Sequence, residues 1–217
     1  MPSDLLIAGT GGQARESAYL ARLIDPKRER WSHIRYVTHR REELGTTLSF
    51  GQVELLDEQL LDQGFEADVV LGVGNPGLRR GIATKLLANP SLRFPNLVNP
   101  AFKTDPDLVR FGQGNMIAQG AVMTCDICIG DFNLFNLNCT VGHDAQIGSY
   151  NVINPGASIS GGVSLGDACL LGTGSRVLEG LSISSGTVIG AGAVVTRSIE
   201  NPGVYVGVPA RLQARSA

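Results

Sequence analysis

A histidine and an aspartate stand side by side at positions 143 and 144, within the segment VGHDAQIG. An imidazole can accept a proton near neutral pH, and a neighbouring carboxylate can hold the ring in one orientation and support its basicity. The pair therefore predicts a catalytic base, with His143 taking the proton and Asp144 orienting the ring. The alternative interpretation is a solvated polar turn in which His143 touches no substrate.

The part of the chain that holds this pair repeats every six residues. Every sixth residue from 111 to 195 is apolar, and with 43% hydrophobic residues such a run has a chance probability on the order of 10⁻⁶. Glycine often follows the apolar residue directly. The fifteen apolar positions are Phe111, Ile117, Met123, Ile129, Phe135, Val141, Ile147, Ile153, Ile159, Leu165, Leu171, Val177, Ile183, Ile189 and Val195.

A period of six fits neither an α-helix nor the two-residue alternation of a strand, so the chain must turn every six residues. Three turns close a triangular coil, and successive coils stack about 4.8 Å apart through main-chain hydrogen bonds. We expect about five coils, in which the large aliphatic residues point inward and glycine permits each bend.

This stacking predicts the surroundings of the pair. His143 lies between Cys125 and Gly161, and the glycines at 161 and 162 leave an open recess beside the imidazole with accessible backbone N–H groups. Because His143 is the only histidine in the repeat, a zinc site of several histidines is excluded and we predict no metal. The spacing Cys125-x-x-Cys128 is typical of redox or zinc motifs, but both residues fall in a regular coil, so we predict no redox or zinc role for them. Cys139 and Cys169 occupy inward small positions, where we expect them only to pack.

The first half of the chain has a different rhythm. From Asp4 to about Val98, short aliphatic runs alternate with longer mixed segments, which predicts a small parallel α/β sheet of the Rossmann-like type. The residues Asn99-Pro100 break regular structure, so we place the domain boundary there. The predicted fold class is α/β plus all-β, with a nucleotide-binding domain over 1–100 and a β-helix domain with a C-terminal tail over 101–217.

A glycine-rich segment, GTGGQAR at 9–15, follows the first predicted strand and opens a helix, where free N–H groups and the helix dipole attract phosphate. The alternative is a tight turn without a ligand. About half of a dinucleotide fold is present, and THRR at 38–41 offers no acidic residue for a ribose, so a mononucleotide fits better than NAD. A second glycine-rich strand end, GVGNPGLRR at 72–80, predicts that Asn75 and Arg79 contribute to binding.

Composition excludes several classes of partner. The net charge of −2 and the pI near 5.9 provide no broad basic field for nucleic acid or anionic membranes. No apolar run approaches the length of a membrane span, the start of the chain does not read as a secretory signal, and four cysteines do not make a disulfide framework. We therefore expect a cytoplasmic protein.

The stretch NLNCTVGHDAQIGSYNVINPGASISGGVSLG at 136–166, with the tail VYVGVPAR at 204–211, resembles the hexapeptide-repeat sugar O- and N-acetyltransferases of the sialic acid and bacillosamine pathways. The resemblance implies a small N-terminal α/β domain followed by a left-handed parallel β-helix, and a homotrimer that binds acetyl-CoA between neighbouring subunits. It also implies that His143 is the base and Asp144 its partner, with the acetyl group passing directly to the acceptor.

The same resemblance implies binding residues. An asparagine seven residues before the histidine shapes the acceptor site, and relatives often carry a second histidine where this chain has Val152. Relatives also place aspartates after the second strand, where this chain has Thr38 and His39. The residues implied for the phosphates, for the acceptor and for acetyl-CoA are, in that order, Gly9, Gly11, Gly12 and Gln13; Asn136; and Gly161, Ala191, Val208, Pro209 and Arg211.

These observations together predict an acetyl-CoA-dependent N-acetyltransferase that acts on a UDP-4-amino sugar in bacterial surface-glycan synthesis. One alternative within the enzymes is O-acetylation of a sugar such as a sialic acid. The alternative from another class is a non-catalytic trimeric scaffold that binds a nucleotide sugar and no acetyl-CoA.

Overall fold

The computed structural model describes residues 3–62 and 64–214. The chain divides into two compact units, one of Met1–Gly74 with Leu78–Pro100 and the other of Asn75–Gly77 with Ala101–Ala217. Among the described residues, no helix combines the length and the apolar character that crossing a bilayer requires.

The N-terminal part of the chain forms a six-stranded sheet and two α-helices, as the alternating pattern predicts. The sheet order is β3-β4-β2-β1-β5-β6, and only β3 runs antiparallel to its neighbour. Short 3₁₀ turns cover Arg41–Glu43 and Asp57–Leu61. The bounds are β1 (Ser3–Ala8), α1 (Gly12–Ile24), β2 (Trp31–Thr38), β3 (Thr47–Leu48), β4 (Gly51–Leu56), β5 (Ala67–Leu71), α2 (Pro76–Leu86) and β6 (Leu92–Arg93). A further short strand, β7 (Leu97–Val98), is not part of this sheet.

The central strands β1 and β5 are almost wholly buried, which fits their continuous aliphatic sequences. Helix α1 presents small residues to the sheet: Ala14, Ala18 and Ala21 are buried at helical spacing. A Cβ built on Gly72 would lie 2.7 Å from the Cβ of Ala14, so the helix approaches the end of β5 as closely as a glycine allows. Because β2 and β5 lie on opposite sides of β1, a crevice opens at the carboxyl end of β1, where such sheets bind ligands.

The C-terminal unit is a left-handed parallel β-helix with three faces. Face A holds β8 (Val109–Phe111), β11 (Ile127–Ile129), β14 (Gln146–Ile147), β17 (Ser164–Leu165) and β20 (Ser182–Ile183). Face B holds β9 (Met116–Ile117), β12 (Leu134–Phe135), β15 (Val152–Ile153), β18 (Leu170–Leu171), β21 (Val188–Ile189), β23 (Val204–Val206) and β24 (Arg211–Leu212). Face C holds β10 (Val122–Met123), β13 (Thr140–Val141), β16 (Ser158–Ile159), β19 (Arg176–Val177) and β22 (Val194–Val195).

The predicted coil of eighteen residues is confirmed by the strand register. Val141 pairs with Ile159, and Ile159 pairs with Val177, each parallel and eighteen residues along the chain. The inward aliphatic residues are buried, with Ile153 and Leu171 fully so. The chain visits the faces in the order A, B, C, and we call the turns between them the A–B, B–C and C–A corners.

The bends differ from the prediction that glycine supplies each of them. Left-handed φ values recur every sixth residue from Gly114 to Gly192, and six of these positions carry other residues. The glycines directly after the aliphatic residues have another role: a Cβ on Gly130 would lie 2.9 Å from the backbone of Gly148 in the next coil. Those glycines permit close stacking of the coils. The six other residues with positive φ are Asp126, Phe132, Asn138, Asp144, Tyr150 and Ala168.

The β-helix ends where the six-residue period of the sequence ends. After β22 the chain forms a shorter corner, and Ile199 bridges to Ile183. Strand β23 then pairs with β21, and β24 folds back antiparallel on β23 to close face B.

Candidate active site

The side chains of His143 and Asp144 meet at the C–A corner, between β13 and β14. Nδ1 of His143 lies 2.7 Å from Oδ2 of Asp144, and the two side chains are 64% and 65% exposed. An ionised carboxylate can only accept, so Nδ1 carries the hydrogen and Nε2 of the neutral ring keeps its lone pair free. A free Nε2 on an exposed, oriented imidazole is the arrangement that a general base requires.

The ring lies against bare backbone of the next coil. A Cβ on Gly161 would lie 2.6 Å from both Cε1 and Nε2 of His143, so no side chain fits there. The N–H of Gly162 donates to the His143 carbonyl at 2.7 Å, and the N–H of Asp144 donates to Cys125 at 3.1 Å. These contacts confirm that His143 stacks between Cys125 and Gly161. The imidazole itself fills the space above Gly161, where an open recess was predicted.

Backbone N–H groups are left open at this corner. Within the described residues, the N–H groups of His143 and Gly161 donate to no partner. The A–B corner is different, because side-chain oxygens eighteen residues further on accept the equivalent N–H groups at 2.7 to 3.0 Å. The C–A corner therefore offers free donors to an incoming carbonyl oxygen. The donor and acceptor pairs of the A–B ladder are Gln113 to Asp131, Asp131 to Ser149, Ser149 to Asp167, and Asp167 to Ser185.

Two residues predicted for the same site lie at another corner. Asn136 follows β12 and Ala191 follows β21, so both belong to the B–C corner. Oδ1 of Asn136 accepts from the N–H of Leu137 at 2.8 Å, and Ala191 is exposed. Within one chain, face C separates these residues from His143 and Gly161.

Three of the four cysteines have thiols whose pKa is raised. Cys139 and Cys169 are fully buried, and burial raises the pKa of the Cys139 thiol to about 12 and also raises the pKa of Cys169. Burial, with the carboxylates of Asp126 and Asp144, raises the pKa of Cys125 beside the histidine. These three thiols stay protonated at neutral pH, so they make poor nucleophiles. Among the described residues, no group of three or more His, Cys, Asp or Glu could hold a metal ion.

The remaining predicted residues of the β-helix unit lie on face B and in the tail. Val152 pairs with Leu134 and Leu170 on face B and is fully buried, so it does not share the corner of His143. Val208 is 72% exposed, and Arg211 begins the last strand. Pro209 follows Val208 through a cis peptide bond.

The predicted phosphate loop borders a cavity of about 740 Å³ in the first unit. Gly9 has φ +124°, and a Cβ there would lie 2.9 Å from the carbonyl oxygen of Gly72, so glycine is required. Nothing lies within 4 Å of a Cβ on Gly11 or Gly12, where α1 begins. The start of α1 is therefore open to an anion. Gln13, in its first turn, accepts a hydrogen bond from Ser17 through its carbonyl group.

Asn75 and Arg79 differ in their exposure. Asn75 is exposed immediately before α2. The guanidinium of Arg79 is fully buried and donates to the carbonyls of Leu71 and Val73 at 3.1 and 2.8 Å. Its burial lowers the pKa of Arg79 to about 9. Arg79 thus holds the loop after β5, and contact between its guanidinium and a substrate stays a prediction.

Sequence reasoning missed three charged residues that line this cavity. The carboxylate of Glu43 accepts from Thr10 and Thr38, and Asp57 pairs with Lys85 at 2.9 Å. Glu43 lies five residues beyond the last residue of β2 in the sequence. It still reaches the end of that strand, because a 3₁₀ turn folds the chain back there. The sequence signal was the acidic pair Glu42-Glu43 that follows THRR.

Comparison with solved structures finds similar enzymes. A variant of perosamine N-acetyltransferase from Caulobacter crescentus, in complex with CoA and GDP-perosamine, is 27% identical over 97% of both chains, with a TM-score of 0.85. The acetyltransferase domain of PglB from Neisseria gonorrhoeae, in complex with acetyl coenzyme A, is 27% identical over 98% of this chain and all of that one, with a TM-score of 0.86. The chain is therefore similar over nearly its whole length to hexapeptide-repeat sugar acetyltransferases.

WeeI from Acinetobacter baumannii has the same architecture, at 25% identity over 97% of this chain and 99% of that one, with a TM-score of 0.83. No protein-family model matches this acetyltransferase, and a search of curated proteins found no match. The non-catalytic scaffold interpretation is set aside, because structures similar over nearly the whole chain are acetyltransferases with CoA or acetyl-CoA bound.

Proposed function

We propose that the protein transfers the acetyl group of acetyl-CoA to the amino group of a nucleotide-linked 4-amino sugar in bacterial surface-glycan synthesis. The imidazole of His143, which Asp144 orients in a side chain that is 64% exposed, is the observation that carries the proposal. The similar Caulobacter enzyme, with GDP-perosamine bound, supports an amino-sugar acceptor over a sialic acid.

The arrangement of the C–A corner supports direct transfer. Nε2 of His143 takes a proton from the acceptor nitrogen as that nitrogen bonds to the thioester carbon. The open N–H of Gly161 stabilises the oxyanion that forms on the carbonyl oxygen. The intermediate then collapses, the carbon–sulfur bond breaks, and the CoA thiolate leaves and takes up a proton. The raised pKa of the Cys125 thiol argues against a covalent acetyl-enzyme at this corner.

The division of the predicted residues between two corners supports a homotrimer. His143 and Gly161 lie at the C–A corner, whereas Asn136 and Ala191 lie at the B–C corner of the same chain. The extended pantetheine arm of one CoA molecule lies along a corner of the β-helix. It can reach both pairs of residues only if the C–A corner of one protomer meets the B–C corner of another. We therefore propose that acetyl-CoA binds between protomers, with the tail residues Val208, Pro209 and Arg211 at its nucleotide end.

The first unit supplies the nucleotide site in this proposal. Gly9, Gly11, Gly12 and Gln13 border the phosphates, with the open start of α1 as the donor surface. The resemblance to the bacillosamine-pathway enzymes implies a UDP-linked sugar, while the similar Caulobacter enzyme has GDP-perosamine bound. Both classes belong in the acceptor assay.

His143→Ala tests the base. We expect turnover with the preferred nucleotide amino sugar to fall at least about 100-fold, because general base catalysis contributes roughly 10²–10⁴. CoA release is measured with a UDP-4-amino sugar, a GDP-4-amino sugar and a sialic acid as acceptors. His33→Ala is the matched control, since His33 also pairs with an aspartate, Asp4, at 3.2 Å and is 67% exposed, but lies in the other unit.

Unchanged turnover in His143→Ala would refute the base assignment. Faster CoA release with sialic acid than with either amino sugar would replace N-acetylation by O-acetylation. Size-exclusion chromatography of both variants checks that the assembly is preserved.

A further inference from the structure

The carboxylate of Glu43 occupies a defined place in the cavity of the first unit. Its Oε2 accepts hydrogen bonds from Thr10 Oγ1 at 2.9 Å and from Thr38 Oγ1 at 2.6 Å. Thr10 belongs to the glycine-rich loop, and Thr38 is the last residue of β2. The side chain is 24% exposed and lines the cavity together with that loop. Glu43 is therefore hydrogen-bonded to a residue of the predicted phosphate-binding loop.

The carboxylate is ionised and can accept more hydrogen bonds. The hydrogen bonds from Thr38 and Thr10 lower the pKa of Glu43, and this outweighs the opposing effect of burial. Its Oε1 has one partner, the Nη1 of Arg40 at 3.2 Å, whose side chain is 57% exposed. A carboxylate oxygen can accept two hydrogen bonds, so Oε1 has capacity left for a ligand. The ligand group that meets it must be a donor.

The order of groups in a nucleotide identifies that donor. The ribose is bonded directly to the phosphates, so phosphates at the glycine loop bring the ribose hydroxyls, rather than the base, next to Glu43. The apolar side chains of Leu78, Ile82 and Leu86 line the cavity as well, and they offer a surface for a planar base. An acidic residue at the end of the second strand binds a ribose hydroxyl in dinucleotide-binding folds, which is the general precedent for this chemistry.

We propose that Glu43 binds the ribose 2′-hydroxyl of the nucleotide and makes the protein select ribonucleotides over 2′-deoxyribonucleotides. This inference rests on the proposed function, because it requires a nucleotide in the first unit. Glu43 would supply the acidic group that Thr38 and His39, at the end of β2, do not provide.

The test measures binding to the full-length protein by isothermal titration calorimetry. The ligands are UDP and GDP and their 2′-deoxy counterparts. We expect the better ribonucleotide to bind about 10-fold or more tightly than its 2′-deoxy form, since a hydrogen bond to a charged group is lost. Glu43→Gln is expected to weaken ribonucleotide binding by roughly the same factor and to bring the two affinities within about 3-fold of each other.

Glu42→Gln is the matched control. Glu42 is the neighbouring carboxylate, is exposed and does not line the cavity, so the full discrimination should persist in that variant. Equal affinity of the wild-type protein for ribonucleotides and their 2′-deoxy forms would overturn the role of Glu43 and leave the nucleotide site standing. No binding of any of the four nucleotides would overturn this inference and the proposed nucleotide-sugar role together.

Discussion

The imidazole–carboxylate contact joins two consecutive residues, which is unusual in an extended chain. Neighbouring side chains on a strand point to opposite faces. At Asp144 the backbone φ is +59°, so the chain bends there and the carboxylate comes within 2.7 Å of the His143 ring. The corner thus places the aspartate where it can fix the ring, and the repeat supplies the corner.

Asp144→Asn tests how much the charge of this carboxylate matters. The amide oxygen can still accept from Nδ1, but the charge that stabilises the protonated ring is lost. We expect kcat to fall roughly 10-fold to 100-fold, since hydrogen bonds to charged groups contribute about 1.5–3 kcal/mol. Steady-state CoA release measures the effect.

The control for this variant is Asp126→Asn, one coil earlier. Asp126 has the same left-handed backbone, with φ +57°, but follows a cysteine instead of a histidine. Its turnover should stay at the wild-type level. A normal kcat in Asp144→Asn would show that the carboxylate does not support the base.

At the scale of the structural element, the corner depends on small residues in the coil above. The Gly161 backbone and the His143 ring are so close that a methyl group cannot be added without displacing the ring. The β-helix therefore shapes the site through the absence of a side chain at Gly161 in the next coil. The same rule is seen in the first unit, where Gly9 allows the loop to approach Gly72.

Gly161→Ala should damage catalysis more than folding. The new Cβ would lie 2.6 Å from Cε1 and Nε2 of His143, and the ring can rotate away because its side chain is exposed. A displaced base should reduce kcat by about 10-fold or more, since reacting groups must be held close to the productive geometry. CoA release and the melting temperature are measured together.

Gly81→Ala is the contrasting variant. Gly81 lies within helix α2 with nothing inside 4 Å of its Cβ position, so alanine should stabilise the protein by roughly 0.5–1 kcal/mol and leave kcat unchanged. Wild-type kcat in Gly161→Ala would contradict the proposed placement of the ring.

The sequence predicted these elements unevenly, for physical reasons. The β-helix was predictable because every coil must bury the same inward positions, such as Val141 and Ile159, at a fixed period. The bends were not, since residues as large as Phe132 and Tyr150 take the left-handed conformation and their rings stack 5.8 Å apart. The role of Glu43 was also missed, because a short 3₁₀ turn brings it back to the end of β2 and leaves no periodic signal.

At the scale of the whole molecule, the two units hold two different kinds of site. The first holds a cavity next to a helix start, which suits a phosphate-bearing ligand, and the second holds an open corner with an oriented base. The residues predicted for acetyl transfer occupy two corners of one β-helix. Our proposal that two protomers complete each site follows from this division.

Mixing two inactive variants tests that proposal. His143→Ala disables the C–A corner, and Ala191→Trp blocks the B–C corner with a large side chain. If each site combines the C–A corner of one protomer with the B–C corner of another, every trimer that contains both variants has one intact site out of three. The two proteins are co-expressed with different affinity tags, and doubly purified trimers are assayed for CoA release. Recovery of roughly a third of wild-type turnover is expected, whereas mixed trimers as inactive as the parents would place both corners of each site in one chain.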